Sequence, residues 1–551
     1  MYRVISSLIL IAAAASLGLL WLSELPLGIP GEWTWDRVAT EPDSVWNLIG
    51  AAVAAGLYLT VVRVGWKRLS GASRLAPQRL EVCAWLMALV AMAFAWLWIA
   101  QEASPQRNRL GKAAFVLYYP SSSGYFTKAR YDSPNAAAFL AGYEDLMRER
   151  DVLHVGTHPP GLFLVFHGLI AACEQSPTLA SLLDATQPAS FREACDVIAT
   201  NSLRSKTPRP LLPLDRRVLW LATLLVMLSA SLVVVPLYGV VWQTHGPVTA
   251  WLTASLWPAI PAVAVFVPKS DVVYALIGML IVWTWLGAVK RRSVVLALLG
   301  GLCAWCGLMC SLAFLPVFLF TALVSWGRAR WWYSGRNKES PLTLNLSPQS
   351  RGEGTRENLS PEDGGEGTRG QLPVGDRFGL PPVSCLIAAA AGFAVPTLLV
   401  GWLARVNLLT VWWLNYQNHA GFYEHYSRTY WKWLLVNPVE LSFAAGVPVF
   451  LLAAASVVSL ARERWSSLAL AAWSMLFVWG TLWLTGKNSG EAARLWIVFL
   501  PWLVWLAGPL LADAEARSRE RWLRPAWILL AVQLAACLLT VARVSGFHFD
   551  S

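Results

Sequence analysis

The amino-acid sequence predicts an all-α polytopic membrane protein of about 12–14 transmembrane helices, with one surface-lying juxtamembrane helix in an outer loop. Three observations predict it. Of the 551 residues, 56% are hydrophobic and only 14% charged, and the mean hydropathy is +0.48; an ordinary soluble domain is excluded. Apolar runs of about 17 to 25 residues recur, each long enough to cross a hydrocarbon core of about 30 Å, and in lipid such runs must be helical because no water satisfies open backbone groups. Between the runs, basic residues cluster as they do in cytoplasmic loops.

In chain order, spans are expected near residues 4–22, 45–64, 81–100, 218–240, 248–267, 272–289, 380–403, 435–460, 466–486, 495–511 and 525–543. The run 293–326 is too long for one crossing and is expected to be two helices broken near Cys310-Ser311. The first run lacks a small-residue cleavage site and reads as a retained anchor. The chain then divides into N-terminal transmembrane helices (1–101), an outer loop with a juxtamembrane helix and an added loop (102–217), a transmembrane core (218–326), a cytoplasmic disordered insertion (327–379) and C-terminal transmembrane helices (380–551).

Charge sets the orientation. The loop 63–79 carries Arg63, Lys67, Arg68, Arg74 and Arg79 with no acid, which places it in the cytoplasm. The segment 24–44 holds Glu24, Glu32, Asp36, Glu41 and Asp43 against Arg37, which fits the outside. Lys290-Arg291-Arg292, Arg462-Glu463-Arg464 and Arg517–Arg524 then fall inside, and the loops 102–152, 404–434 and 487–494 outside. Parity holds if the run 153–173 does not cross the bilayer or if another span is re-entrant; that run is short, carries His167 and follows Pro159-Pro160. These loops account for the net charge of +11, so no nucleic-acid partner is expected.

Within the insertion, 345–356 nearly recurs as 358–369, both opening Asn-Leu-Ser-Pro and closing Gly-Glu-Gly-Thr-Arg. A tandem copy of such polar composition reads as disordered and dispensable; the other reading is a regulatory docking tail. Cys303, Cys306 and Cys310 share a helical face, where buried cysteine as a small hydrophobe competes with a metal site.

The candidate chemistry lies in four polar islands. In the first, Tyr131-Asp132-Ser133-Pro134 precedes an amphipathic helix over 134–150, with Phe139, Leu140, Tyr143, Leu146 and Met147 on one face and Glu144, Asp145, Arg148 and Glu149 on the other. Ser133 is expected to cap it, with Pro134 at its first position. Asp132 is either a cap or a base able to accept a proton from a hydroxyl acceptor. His154 and His158 have the spacing of zinc ligands on a helix, but Gly156 and Pro159-Pro160 oppose a continuous helix there. His158 reads as a donor toward a phosphate or sugar hydroxyl, or as an interfacial histidine. The second island is Lys269-Ser270-Asp271, at the mouth of a span, where Asp271 is an N-cap or a second site acid and Lys269 a phosphate contact or a snorkelling lysine. The third is 487–494, where Arg494 opens a span against the charge bias; a bidentate grip on phosphate competes with a plain ion pair to Glu491. The fourth is 404–434, with His419, His425, Arg428 and Lys432 among aromatics.

In order along the chain, these motifs resemble the GT-C superfamily of polytopic glycosyltransferases, in particular the protein-mannosyltransferase-like and lipid A aminoarabinose-transferase-like members. In that group an acid in the first large outer loop precedes a surface helix, and a basic residue followed by Pro-Pro opens the next hydrophobic segment, as Asp132 and His158-Pro159-Pro160-Gly161 do here. Arg216-Arg217 before a span, Trp257-Pro258 through Asp271, and Glu491 with Arg494 before an apolar run reaching Pro501 follow in the family's order. The resemblance covers roughly residues 102–510. Two extra spans precede the motif loop, histidine stands where lysine is usual, and 174–215 reads as an added loop.

The resemblance implies a multi-pass enzyme of the bacterial inner membrane that moves a sugar from a polyprenyl-phosphate donor to a lipid, glycan or protein acceptor on the outer face. Asp132 would be the base and Asp271 would orient acceptor or base, while His158, Lys269 and Arg494, with Glu491, would hold the departing phosphate. No cofactor is implied, and the sequence carries no dedicated metal cluster. The competing classes are a polytopic transporter or lipid flippase, which favours broken helices in two repeated halves, and a zinc or intramembrane hydrolase, for which no strong signature is present.

Overall fold

The computed structural model of the protein describes residues 2–39, 41, 44–70, 79–152, 154–203, 209–336, 381–460, 467–517 and 523–547. The tandem repeat, Arg74, Arg462-Glu463-Arg464 and most of 517–524 lie outside the described residues.

The chain is an all-α polytopic membrane protein. Among the described residues, six helices are long and apolar enough to cross a membrane: Ser44–Leu69, Arg79–Glu102, Pro213–His245, Ser270–Arg291, Val383–Ala404 and Ala526–Arg543. The number rises to eight if two bent pairs each count as one span, and five shorter apolar helices accompany them. Length and composition alone therefore select fewer spans than the expected 12–14. The expected break in 293–326 is present. Val294–Cys310 and Leu315–Arg336 flank a 3₁₀ turn, Leu312–Phe314, and the Ser311 hydroxyl at the break accepts from the Ala313 amide at 3.2 Å.

The expected span 248–267 is not a simple helix. It is broken into Pro247–Leu256, a 3₁₀ turn Trp257–Ala259 and Pro261–Val265, and every residue from 248 to 269 is buried. Pro258 and Pro261 lack the amides that a continuous helix needs, so backbone carbonyls are released in a dry interior where each requires a donor. Side chains from across the sequence supply them. The Tyr58 hydroxyl reaches Ser255 O at 2.7 Å, the Trp96 indole Pro258 O at 3.0 Å and the Gln533 amide Ala259 O at 2.9 Å. Gln101 donates to Ala264 O, and the Lys112 ammonium to Val265 O at 3.1 Å. The broken segment ends at Lys269 and Asp271, so this set of donors fixes where those two residues emerge.

The loops expected outside meet at one end. The segment 24–44 forms a small antiparallel sheet, strands Leu27–Ile29 and Trp33–Arg37 joined by Val544–Ser545, with Ile29 paired to Trp33 and Arg37 to Val544. From it, Glu32 accepts from the Thr429 amide at 2.8 Å, the Thr429 hydroxyl at 2.6 Å and the Trp433 indole at 2.7 Å. Tyr430 donates to Leu484 O at 2.6 Å, and the Tyr423 hydroxyl accepts from Asn488 N at 2.8 Å. The segments 24–44, 404–434 and 487–494 thus share one end.

The run 153–173 belongs to a bent helix pair, a broken span or a re-entrant loop. Helix Gly161–Gln175 turns by 102° into Pro177–Thr186. At its start Phe163 packs on Tyr125 with rings 5.1 Å apart, and at its end Glu174 lies 3.9 Å from Arg130. Both ends therefore contact the same short stretch of outer loop. The chain then returns to where it left: Ser190 donates to Glu102 at 2.7 Å, and Arg217 forks onto Asp184 at 2.6 and 2.9 Å.

The expected amphipathic helix over 134–150 forms as two short helices, Ala136–Ala141 and Tyr143–Arg148, interrupted at Gly142. Phe139, Tyr143 and Met147 are buried at helical spacing, and Arg148 pairs outside with Glu144 and Asp145. The cap is Asn135 rather than Ser133. The Asn135 carbonyl oxygen accepts from the amides of Ala137 and Ala138, each at 3.0 Å. Pro134 sterically bars helical backbone at the residue before it, and Ser133 is correspondingly non-helical, with φ −146° and ψ 66°.

Candidate functional site

Two of the polar islands meet over the broken segment, and the first outer loop closes over them. Lys269 is 4% exposed and donates to the carbonyl of Ser122, which ties it to the loop that leads into Tyr125. Its amine is lowered to about 7, first by burial and then by the positive charge of Arg494, against the pull of Asp271 and Glu491. Asp271 sits in the first turn of helix Ser270–Arg291, whose N-cap position is Lys269, so Asp271 is not the cap.

Arg494 comes from the four-residue helix Ala492–Leu495. Its guanidinium lies 2.5 Å from Glu491, with the two side chains 18% and 27% exposed. Burial works against that charge, but Glu491 and Asp271 more than offset it. The Nε of Arg494 is buried without a hydrogen-bond partner among the described residues. The ion pair with Glu491 and the closeness to Asp271 coexist, so the two readings of Arg494 are not exclusive.

Tyr125, which the sequence reading did not single out, completes the cluster. It is 4% exposed, hydrogen-bonds Ser270, and feels the charges of Asp271 and Arg494. Burial, then Asp271, hold its phenol far above the ordinary range, so it acts as a neutral donor. His158 lies edge-on against its ring at 5.6 Å. The backbone of His158 is fixed by the Tyr143 hydroxyl at 2.6 Å and the Asn415 amide at 3.2 Å. Gly156 is required just before it, because a Cβ there would stand 2.0 Å from Asp151 O. The helix around it is only His154–Thr157, and the His154 side chain lies outside the described residues.

Asp132 belongs to a neighbouring network. It ends a π-helical turn, Lys128–Asp132, and pairs with Arg209 at 2.8 Å, the side chains being 36% and 38% exposed. Arg209 in turn stacks over Tyr131 at 5.6 Å. Beneath them the fully buried Asp215 accepts from Arg130 at 2.8 Å, Tyr131 at 2.9 Å and Leu212 N at 2.7 Å. Arg216 and Arg217 pair with Asp196 and Asp184 of the added loop, so their charges are engaged there. Of the fourth island, Arg428 donates to Glu32 O and Lys432 lies 3.8 Å from its carboxylate.

The arrangement offers two cations, two carboxylates and a protonated phenol in one cluster, with Asp132 in the neighbouring network. Such a set can hold an anion, orient it and take a proton nearby. Among the described residues no group of three or more His, Cys, Asp or Glu is placed to hold a metal ion. The chain matches no family model, no curated protein and no solved structure.

Proposed function

We propose that the protein is an integral-membrane glycosyltransferase that moves a sugar from a polyprenyl-phosphate donor to a lipid, glycan or protein acceptor at the extracytoplasmic face. The observation that carries this reading is the meeting of Lys269, Asp271, Glu491 and Arg494 with Tyr125 at the end where the outer loops gather. We read the five shorter apolar helices as further crossings, which brings the total toward the expected 12–14.

In this reading Arg494 and Lys269 hold the departing lipid phosphate, His158 and Tyr125 donate to its oxygens or to the sugar, and Glu491 and Asp271 keep the cations oriented. Inversion requires the acceptor hydroxyl to approach from the side opposite the leaving group, so the base must stand a sugar's width from the phosphate grip. Inverting hydrolases hold their acid and base about 6.5–9.5 Å apart for the analogous reason. Asp132 stands apart from the cluster, with six residues between it and Tyr125 and paired with Arg209, whereas the charge of Asp271 is felt by Arg494. Asp132 is therefore assigned as base, with release of Arg209 when acceptor binds. A dry interior beside this end suits the polyprenyl chain and raises the worth of each phosphate contact.

The test is transfer of a radiolabelled sugar from polyprenyl-phosphate donors to membrane lipid extract by purified protein. Transfer that disappears in Asp132→Asn supports the assignment. Substrate flux across proteoliposomes, with no transfer from any donor, would replace this reading with a transporter or flippase.

A further inference from the structure

The turn that presents Arg494 lacks a cap of its own. Its preceding residue, Glu491, is in the left-handed region with φ 56° and makes no side-chain cap bond; its carboxylate is spent on Arg494 instead. The first amides of a helical turn still need acceptors. One comes from 53 residues upstream in sequence: Glu440 Oε1 accepts from Ala493 N at 3.0 Å and from the Trp35 indole at 3.3 Å, and the Ala492 amide also acts on this carboxylate.

Glu440 is only 8% exposed, and its Oε2 is buried with no hydrogen-bond partner among the described residues. A buried carboxylate with one idle oxygen is a costly residue in a largely apolar helix, so packing alone does not account for it. It lies on a buried stripe of helix Tyr430–Ala445 at helical spacing with Trp433 and Asn437, and that stripe faces the Arg494 loop throughout. Asn437 donates to Asn488 O at 3.4 Å, and a Cβ on Gly490 would stand 3.3 Å from the Trp433 ring.

We infer that Glu440 is the positioning residue of the site: it caps the Arg494 turn from outside, leaving Glu491 free to orient the guanidinium. It touches neither Arg494 nor any reacting group and acts through the backbone of 492–493. The placement of Arg494 stands on geometry alone; its consequence for phosphate binding rests on the glycosyl-transfer reading.

The experiment separates the two. Modification of Arg494 by phenylglyoxal, followed by mass spectrometry of the full-length protein in detergent, reads its placement without any substrate. Glu440→Leu is expected to speed modification about tenfold, in line with loss of a cap, while Glu440→Gln, which keeps a carbonyl acceptor, stays within about twofold. Glu440→Asp withdraws the carboxylate by one methylene and should fall between; it decides the matter if the leucine variant does not fold. An unchanged rate in folded Glu440→Leu or Glu440→Asp overturns the inference. Decaprenyl phosphate binding provides the second arm: Glu440→Leu should weaken it about tenfold, yet add nothing in an Arg494→Ala background. An additive loss there would mean that Glu440 does not act through Arg494. If the wild type binds no decaprenyl phosphate, the glycosyl-transfer reading fails while the labelling rates still decide the role of Glu440.

Discussion

Asp215 is where the account of the outer loop can be tested most sharply. Its side chain is fully buried and takes three hydrogen bonds, from Arg130, Tyr131 and Leu212 N, all between 2.7 and 2.9 Å. Together they join the π-helical turn 128–132 to the first turn of helix Pro213–Leu232. Asp215→Ala removes all three acceptors and leaves Arg130, 22% exposed, with only the more distant Glu174 at 3.9 Å. Breaking a buried charge pair in this way costs about 3–5 kcal/mol. The loss should appear as local opening rather than global unfolding, because within the spans the contact involves only the first turn of helix Pro213–Leu232. Hydrogen exchange of amides 125–132 is therefore expected to quicken by about two to four orders of magnitude, with helix Ser270–Arg291 unchanged. Asp215→Asn keeps one acceptor and should fall between. Exchange across 125–132 within threefold of wild type in Asp215→Ala would refute the reasoning.

Further outcomes follow from the same geometry. Arg209→Ala should cost only about 0–1 kcal/mol, since the pair with Asp132 is over a third exposed, and should leave transfer within about threefold, whereas Asp132→Asn loses about 10²–10⁴-fold; equal losses would make Asp132 a structural partner of Arg209. Lys112 and Lys269 are both lowered to about 7 by burial, so between about 7 and the ordinary lysine value near 10.4 the unfolded chain binds more protons than the folded one. Stability should therefore rise with pH through that window and decline as pH falls toward 7, a slope that Lys112→Met flattens in thermal melts. Phosphate binding through Lys269 should run the other way, weakening as pH rises through about 7. Gly161→Ala places a Cβ 2.5 Å from the Met309 carbonyl and should cost about 1–3 kcal/mol, while Gly168→Ala, which meets nothing within 4 Å, should be neutral or mildly stabilising; equal effects would mean that close approach at Gly161 is unimportant.

The spans were legible because hydropathy over about 20 residues is a one-dimensional property, and the break at Cys310-Ser311 because one run was too long for one crossing. The broken segment was not, since apolar composition hides the effect of Pro258 and Pro261. Its remedy lies in Tyr58, Trp96, Gln101, Lys112 and Gln533, which no local pattern links. Gln533, a polar residue inside an apolar run, and Gln101, just past the end of one, were the available signal. Ser133 was misread as a cap because a serine before proline looks like a helix start until the restriction on the residue preceding proline is counted. Lys269, Asp271, Glu491 and Arg494 could be chosen from sequence because charge near a span is costly. Tyr125 could not, being one of many interfacial aromatics, and Glu440 sat within a run read simply as a span. A lone acid in such a run is itself a signal that it has a partner.

The most direct measurement of the central claim is the rate at which purified protein transfers radiolabelled sugar from polyprenyl phosphate, compared between wild type and Arg494→Ala. If the cluster holds the departing phosphate, the wild type transfers sugar and the variant loses about 10²–10³-fold, the usual worth of one preorganised donor at a developing anion, while remaining folded. Transfer in Arg494→Ala within fivefold of wild type would contradict the account.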